Sequence, residues 1–427
     1  MTPLNASAGC AIALAGAGGS HPATIGAIAA ALRLAEPDRR IVIFDMSLFD
    51  RRGAADYSCC DAEVIRLAPS DVGMADLFPT AGPNMLLSGG ERCFRRMRSK
   101  FLELIENRHI RAVLLCHAWG YPEQALIAAA NRSHVPIAQI DEGPFSLPIY
   151  GSSTGAGWGK RLVHRVATRL HFIPPRDHRG DGIDVFFCTS PGRRQKMLAA
   201  GIAADRLQLV GSPRYDRLAG IAQAWKDHRQ KRTGSAQILW IHQPFLVDGK
   251  VAPDAVKTAE NIIIDALRDV ARRYPAKCVI RLHPRTPASE IARLRAMTAQ
   301  LNDLTSLSIG TNLAEDMLAS DMFVGFYSSL LLEAAACGAP VASSRLAPKA
   351  FRNRSEAMKV AELAKFDIPI AEGRTEMRTL ILQGLSAGIM EANGRLLHDE
   401  IGSLDGRGGA DVAARLIQIA DSGRRAE

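Results

Sequence analysis

The chain has 427 residues, 47% hydrophobic and 23% charged, with a formal net charge of +9. This is the composition of a globular protein long enough for two domains with separate cores. No apolar run is long enough to span a bilayer, and 6% aromatics with no nucleic-acid motif speak against DNA or RNA as the anionic partner.

Anionic glycans, nucleotides and a membrane surface stay open as partners for the positive charge. The eight cysteines include no CxxC pair. Cys116, Cys188, Cys278 and Cys337 lie in or beside apolar segments and read as buried thiols of a reducing cytosol. Residues 1–19 lack a basic n-region, so they read as a first strand rather than a signal peptide.

Residues 10–15 form a strand that runs into Gly16-Ala17-Gly18-Gly19-Ser20-His21, with a helix over 22–34 behind it. Glycines at such a turn let the backbone approach a ligand closely. The spacing falls short of the dinucleotide fingerprint, although Asp45 at the end of strand 41–44 leaves a dehydrogenase conceivable. A plain βα turn is the alternative. Residues 51–95 carry no clear pattern, and Cys59-Cys60 lacks metal-site spacing. A helix rich in Arg and Lys follows over 94–107, then strand 111–116, helix 121–132 and strand 135–140. That strand ends in Asp141-Glu142-Gly143-Pro144. Two adjacent carboxylates cannot both enter a core without great cost, so at least one should project into a cleft, unless the turn is simply solvated.

Residues 151–159 are a Gly/Ser-rich loop. Over 160–173, Leu162, Val166, Leu170 and Ile173 share one helical face with Arg161, Arg165 and Arg169 beside it. Such a segment either lies on anionic lipid or packs as a peripheral helix. Strand 184–188, the segment Val210-Gly211-Ser212-Pro213-Arg214-Tyr215-Asp216 and a helix over 216–229 come next. The polar residues 231–236 mark a domain boundary.

Beyond it the alternation restarts: strand 238–241 with His242-Gln243-Pro244, helix 255–273, strand 278–282 into His283-Pro284-Arg285, helix 288–302, strand 304–309 and a helix from 312. Residues 322–326 are a short apolar strand, and Ser328 or Ser329 can cap the helix 330–336. Gly338 supplies a left-handed stop and Pro340 forbids continuation. This helix is apolar nearly all round and must be buried, while its N-terminus offers hydroxyls and free N–H groups where open α/β sheets bind anions. Its plain alternative is a capped core helix. A strand at 341 and a helix over 410–420 complete an α/β chain of two Rossmann-like domains facing across a cleft.

The glycine-rich first turn, the Val-Gly-Ser-Pro-x-x-Asp segment and the Ser-Ser-x-x-x-Glu-Ala helix together resemble the GT-B fold of nucleotide-sugar glycosyltransferases and UDP-GlcNAc 2-epimerases. The resemblance implies an acceptor-side domain over 1–232, a nucleotide-sugar domain over 233–395 and a helix over 396–427 that returns to the first domain. Three short motifs resemble those of bacterial sialyltransferases: Asp141-Glu142-Gly143, His283-Pro284 and Ser328-Ser329. Transferases of Kdo and of glycerol phosphate for bacterial surface polymers share parts of the second-domain pattern.

The implied reaction moves an acidic sugar from a CMP-activated donor to a hydroxyl of a surface glycan. Asp141, with Glu142 as second choice, would be the base. His283 would meet the charge on the departing phosphate or act as general acid, beside Pro284, Ser328, Ser329 and the helix N-terminus. Arg285 and Gln243 are candidate phosphate or base contacts, and Glu333 a ribose contact with a locally paired buried acid as alternative. Gly18, Gly19 and His21 line the acceptor side. No Asp-x-Asp follows a strand, so no metal and no cofactor is expected.

The expected setting is cytoplasmic, with contact to the anionic inner membrane and a homodimer both left open. Two competing functions stand beside this one. A UDP-GlcNAc 2-epimerase carries His-Arg-x-Glu-Asn after the first strand of its second domain, where this chain has His242-Gln243-Pro244-Phe245. A membrane-associated assembly protein would bind nucleotide without turnover.

Overall fold

A computed structural model describes residues 10–50, 55–140, 181–231, 234–283, 286–299, 305–309, 313–352 and 363–423, with isolated positions at 166, 168, 169 and 357. The chain divides into two compact units: unit 1 comprises Met1–Asp216 and His398–Glu427, and unit 2 comprises Arg217–Leu397.

Unit 1 begins with β1 (Ala11–Gly16), α1 (His21–Ala35), β2 (Arg40–Asp45) and β3 (Glu63–Arg66). It continues through α2 (Ala81–Leu87), α3 (Glu91–Asn107), β4 (Ile110–Leu115), α4 (Tyr121–Arg132) and β5 (Ile137–Ile140). After the undescribed stretch come β6 (Val185–Cys188), α5 (Pro191–Ala199) and β7 (Leu207–Leu209). The strands form a seven-stranded sheet in the order β3-β2-β1-β4-β5-β6-β7, with every pair parallel.

Side chains alternate across this sheet, as a pleated strand requires. Ala11, Ala13, Ala15, Val42 and Phe44 join one core cluster with Met97 and Phe101 of α3 and Leu126 of α4. Ile12, Leu14, Ile41 and Ile43 join another with Ile25, Ile28 and Leu32 of α1. Strands buried on both faces read as near-continuous apolar runs, which is why β1, β2 and β4 stand out in the sequence.

Unit 2 opens with α6 (Asp216–Lys231), β8 (Ala236–Ile241), α7 (Pro253–Ala271), β9 (Ala276–Leu282), α8 (Ala288–Thr298) and β10 (Thr305–Ile309). It closes with α9 (Leu313–Ala319), β11 (Met322–Gly325), α10 (Ser329–Ala336), β12 (Val341–Ser344), β13 (Ile370–Ala371) and α11 (Arg374–Ala387). These strands form a six-stranded parallel sheet in the order β10-β9-β8-β11-β12-β13. The sequence places the boundary in the polar residues 231–236, whereas the division falls at Asp216. The reason is packing within α6: Trp225 is 1% exposed and donates to the Ser320 carbonyl at 2.7 Å, and Arg229 pairs with Asp321 at 2.6 Å.

The chain then returns to unit 1 as α12 (Gly408–Ser422). Val412, Ala413 and Leu416 enter the α1 side of the unit 1 core. Asp216 accepts from the N–H groups of Gly408 (2.8 Å) and Gly409 (2.6 Å), a carboxylate on the positive end of α12. Burial pushes the Asp216 carboxyl above its ordinary range, against the opposing pull of the Gly409 and Gly408 hydrogen bonds. A Cβ on Gly408 would stand 2.6 Å from the Ser212 carbonyl carbon, so this close approach needs glycine.

Candidate functional site

Open α/β sheets take ligands outside the carboxyl ends of their strands, where the strand order reverses. Both sheets have such a point. In unit 2 it lies between β8 and β11, which pair through Ile238–Met322, Leu239–Phe323 and Trp240–Val324. In unit 1 it lies between β1 and β4.

At the unit 2 point, β11 runs through Phe326 and Tyr327 into Ser328, whose hydroxyl accepts from the Leu330 N–H at 3.1 Å and so caps α10. All residues from Leu330 to Ala336 are buried, as an all-round apolar helix demands. Gly338 takes φ +82° and ends it. From the β8 side, Gln243 Oε1 accepts from the Tyr327 N–H at 3.2 Å. Phe245 stacks on Tyr327 with centroids 5.2 Å apart. The loop before α10 is thus held on one side by an amide and on the other by an aromatic pair, and the first-turn N–H groups of α10 stand at the sheet's reversal.

The sequence-chosen residues fall around this point unevenly. Ser328, Ser329 and Gln243 border it directly. Glu333 is 2% exposed, with Arg217 Nη2 3.4 Å from its Oε2. His283 leaves β9, with β8 intervening before β11, so its strand lies about 10 Å from that of Ser328 at ordinary strand spacing. Pro284, Arg285, Asp141 and Glu142 lie outside the described residues. So do residues 151–159 and most of the basic amphipathic segment 160–173.

Beside Gln243 lies a buried cluster that the sequence pattern does not signal. His242 Nε2 is 3.0 Å from Glu260 Oε1 and 3.7 Å from Glu290 Oε1. Arg293 bonds both acids, at 2.8 Å to Glu260 and 2.6 Å to Glu290. The His242, Glu260 and Glu290 ligand atoms lie within 4.8 Å of one another, a spacing a metal ion could use. The Arg293 guanidinium is the cation already between the carboxylates. Burial pushes Glu260 upward, but hydrogen bonds from His242 and Arg293 outweigh it and hold the carboxyl below its ordinary range. A cavity of 330 Å³ in unit 2, lined by Val341, Ile368, Pro369, Leu380 and Met390, sits instead at the amino ends of β12 and β13.

At the unit 1 point, the Gly16–Ser20 turn and the loop 116–120 stand side by side. Gly18 is buried and Gly19 exposed at φ +82°. His21 is 8% exposed and its Nδ1 accepts from the Ala17 N–H at 2.8 Å. The ring's own proton is therefore on Nε2. Opposite it is a residue not anticipated: the His117 ring meets the His21 ring edge-on, centroids 4.9 Å apart, with Trp119 edge-on at 6.5 Å. Glu123, in the first turn of α4, puts Oε1 3.7 Å from His117 Nδ1. Asp45 does not support a dinucleotide: its oxygens bind the Ser47 N–H at 3.0 Å and Arg66 at 2.8 Å.

The sequence does carry a signal for His117, a histidine one residue past an apolar strand. Its importance depends on β4 pairing with β1, which no local pattern announces.

The fold has clear counterparts. A candidate UDP-N-acetylglucosamine 2-epimerase from Listeria monocytogenes is 14% identical, with a TM-score of 0.60 over 98% of each chain. The UDP-GlcNAc 2-epimerase of Neisseria meningitidis, solved with UDP-GlcNAc bound, is 13% identical with a TM-score of 0.57, covering 96% of this chain and 100% of its own. The wall teichoic acid polymerase TagF, soaked with CDPG, is 11% identical with a TM-score of 0.52, covering 96% and 89%. No protein-family model and no curated protein matches the sequence. At these identities the likeness is one of fold: two doubly wound parallel α/β units of the GT-B kind, common to epimerases and glycosyltransferases.

Proposed function

We propose that this chain is a nucleotide-sugar-dependent glycosyltransferase, with unit 2 holding the nucleotide's phosphate and unit 1 the acceptor. The observation that carries this reading is the Ser328-capped N-terminus of α10 at the reversal of the unit 2 sheet. The positive end of the helix dipole, with the Ser328 and Ser329 hydroxyls beside it, suits a phosphate whose negative charge grows as the sugar departs. Gln243, Ser328 and Ser329 are the residues assigned to it, with Glu333 one helical turn further along α10 and Arg217 of α6 beside Glu333.

A UDP-GlcNAc 2-epimerase is the second reading. The fold likeness favours it over transfer from a CMP-activated acidic sugar, since epimerases of that name share the architecture over nearly their full length. Against it stands His242-Gln243-Pro244-Phe245 where the epimerase motif has arginine and glutamate. His242 keeps the motif's histidine, but its carboxylates come from α7 and α8. The CMP-donor reading rests on the order of the Asp-Glu-Gly, His-Pro and Ser-Ser motifs alone.

Thermal shifts with UMP, UDP and CMP identify the base, because a ligand that binds only the folded state raises Tm with concentration. Product analysis with UDP-GlcNAc and CMP-sialic acid then separates the activities. Nucleotide release is expected from transfer, and a 2-epimer still attached to UDP from an epimerase. Absence of any nucleotide-dependent shift would overturn the reading.

A further inference from the structure

We propose that His117 is the proton-transferring residue of unit 1, oriented by Glu123, and that it acts on the hydroxyl of a sugar acceptor. The acceptor's identity as a sugar rests on the glycosyltransferase reading above; the geometry of the pair does not.

His117 Nδ1 is buried and has no hydrogen-bond partner among the described residues. The nearest carboxylate oxygen is Glu123 Oε1 at 3.7 Å, beyond a hydrogen bond but within the looseness that unliganded catalytic pairs show before substrate tightens them. Glu123 is 4% exposed and belongs to the first turn of α4, whose positive end favours the ionised carboxylate. Gly120 leaves room for that position: a Cβ there would overlap the Glu123 carboxylate where it stands, folded back over the helix start.

A carboxylate facing Nδ1 keeps the imidazole proton on that nitrogen and leaves the Nε2 lone pair as a base. His21 has the opposite arrangement. The Ala17 N–H occupies its Nδ1, so its proton is on Nε2, and a second proton would set two N–H groups against each other. Of two histidines in ring contact, only His117 is set up to receive a proton. Its side chain is 24% exposed while Nδ1 is buried, which leaves the Nε2 edge for substrate. Trp119 adds an apolar surface beside it.

In the step, the acceptor O–H bond breaks and its proton passes to Nε2. The electron pair left on oxygen forms the bond to the anomeric carbon. The bond from that carbon to the phosphate oxygen breaks, its pair leaving with the nucleotide, and the imidazolium returns its proton to water.

Selective ¹⁵N-histidine NMR of the full chain, assigned through His117→Gln, reads the tautomers without any substrate. The expected result is an Nδ1–H tautomer for His117, lost in Glu123→Ala and weakened in Glu123→Gln, with an Nε2–H tautomer for His21. Nucleotide release from UDP-GlcNAc and CMP-sialic acid supplies the second readout. His117→Gln should slow it by about 10²-fold or more while leaving the nucleotide-induced melting shift in place. An Nε2–H tautomer at His117, or His117→Gln releasing nucleotide at the wild-type rate, would overturn the dyad while the transferase reading stands. If wild-type protein releases nucleotide from neither probe, the transferase reading fails and the tautomers alone decide whether the pair exists.

Discussion

A single carboxylate shows how burial and bonding compete in this protein. Glu260 is fully buried, which by itself favours the neutral acid, yet His242 and Arg293 hold it ionised. A carboxyl whose pKa is lower folded than unfolded adds stability above the unfolded value, about 4.3 for Glu, and that contribution disappears as pH falls through the folded value. The melting temperature of the wild type should therefore drop from about pH 5 to about pH 3 by more than that of Glu260→Gln. Equal acid sensitivity of the two proteins in a pH series of melts would show that this carboxylate does not contribute. His242 is the reason the cluster matters beyond stability, because it precedes Gln243, the residue that holds the loop before α10.

At the scale of elements, α10 joins sequence to site most directly. Its cap and its stop are both single residues. Ser328→Ala removes the hydroxyl that accepts from Leu330 and should cost about 1 kcal/mol, together with part of the nucleotide-induced stabilisation. Gly338→Ala forces a side chain into a left-handed backbone with its Cβ 2.5 Å from the Met390 carbonyl oxygen, and should cost about 2 kcal/mol in a denaturant titration. These signals are local, so the amino-acid pattern alone marks the helix and both its ends. The same holds for β1, β2, β8 and β9, apolar runs closed by Gly, Pro or Asp, and for β4, an apolar run closed by His117. Other elements leave no such mark. β3, Glu63-Val-Ile-Arg, is a sheet edge whose side chains are mostly exposed, so it lacks an apolar run. Helix α11 carries Arg374, Glu376, Arg378 and Gln383 among its apolar positions, which hides its buried stripe of Met377, Ile381 and Leu385. The unit 1 site is hidden for a different reason: His21 and His117 meet only because β4 lies beside β1, a fact of strand order. Candidate bases Asp141 and Glu142 belong to the undescribed residues, so the acidic motif keeps the standing its sequence confers.

For the whole molecule, the composition of unit 1 is the governing fact. Among the described residues no helix is long and apolar enough to cross a membrane. The buried side chains of α12 belong instead to the core around β1 and α1. Leu416→Ala should remove about 2–5 kcal/mol from the unfolding of unit 1, as a large-to-small change in a packed core does. Nucleotide-dependent stabilisation should survive it, because the residues assigned to the phosphate lie in unit 2. Loss of that stabilisation in Leu416→Ala, with the fold retained, would mean that the nucleotide depends on unit 1.

The way α12 completes unit 1 bears on how the protein is made. During synthesis the ribosome emits residues 217–397, all of unit 2, before it emits the piece that finishes the first core. A nascent chain halted ahead of residue 398 would carry a finished second half and a first half with Ile12, Leu14 and Leu32 short of their covering helix. A helix made long after β1 thus seals that strand, and translation products truncated ahead of residue 398 should be sticky, chaperone-bound species rather than working fragments.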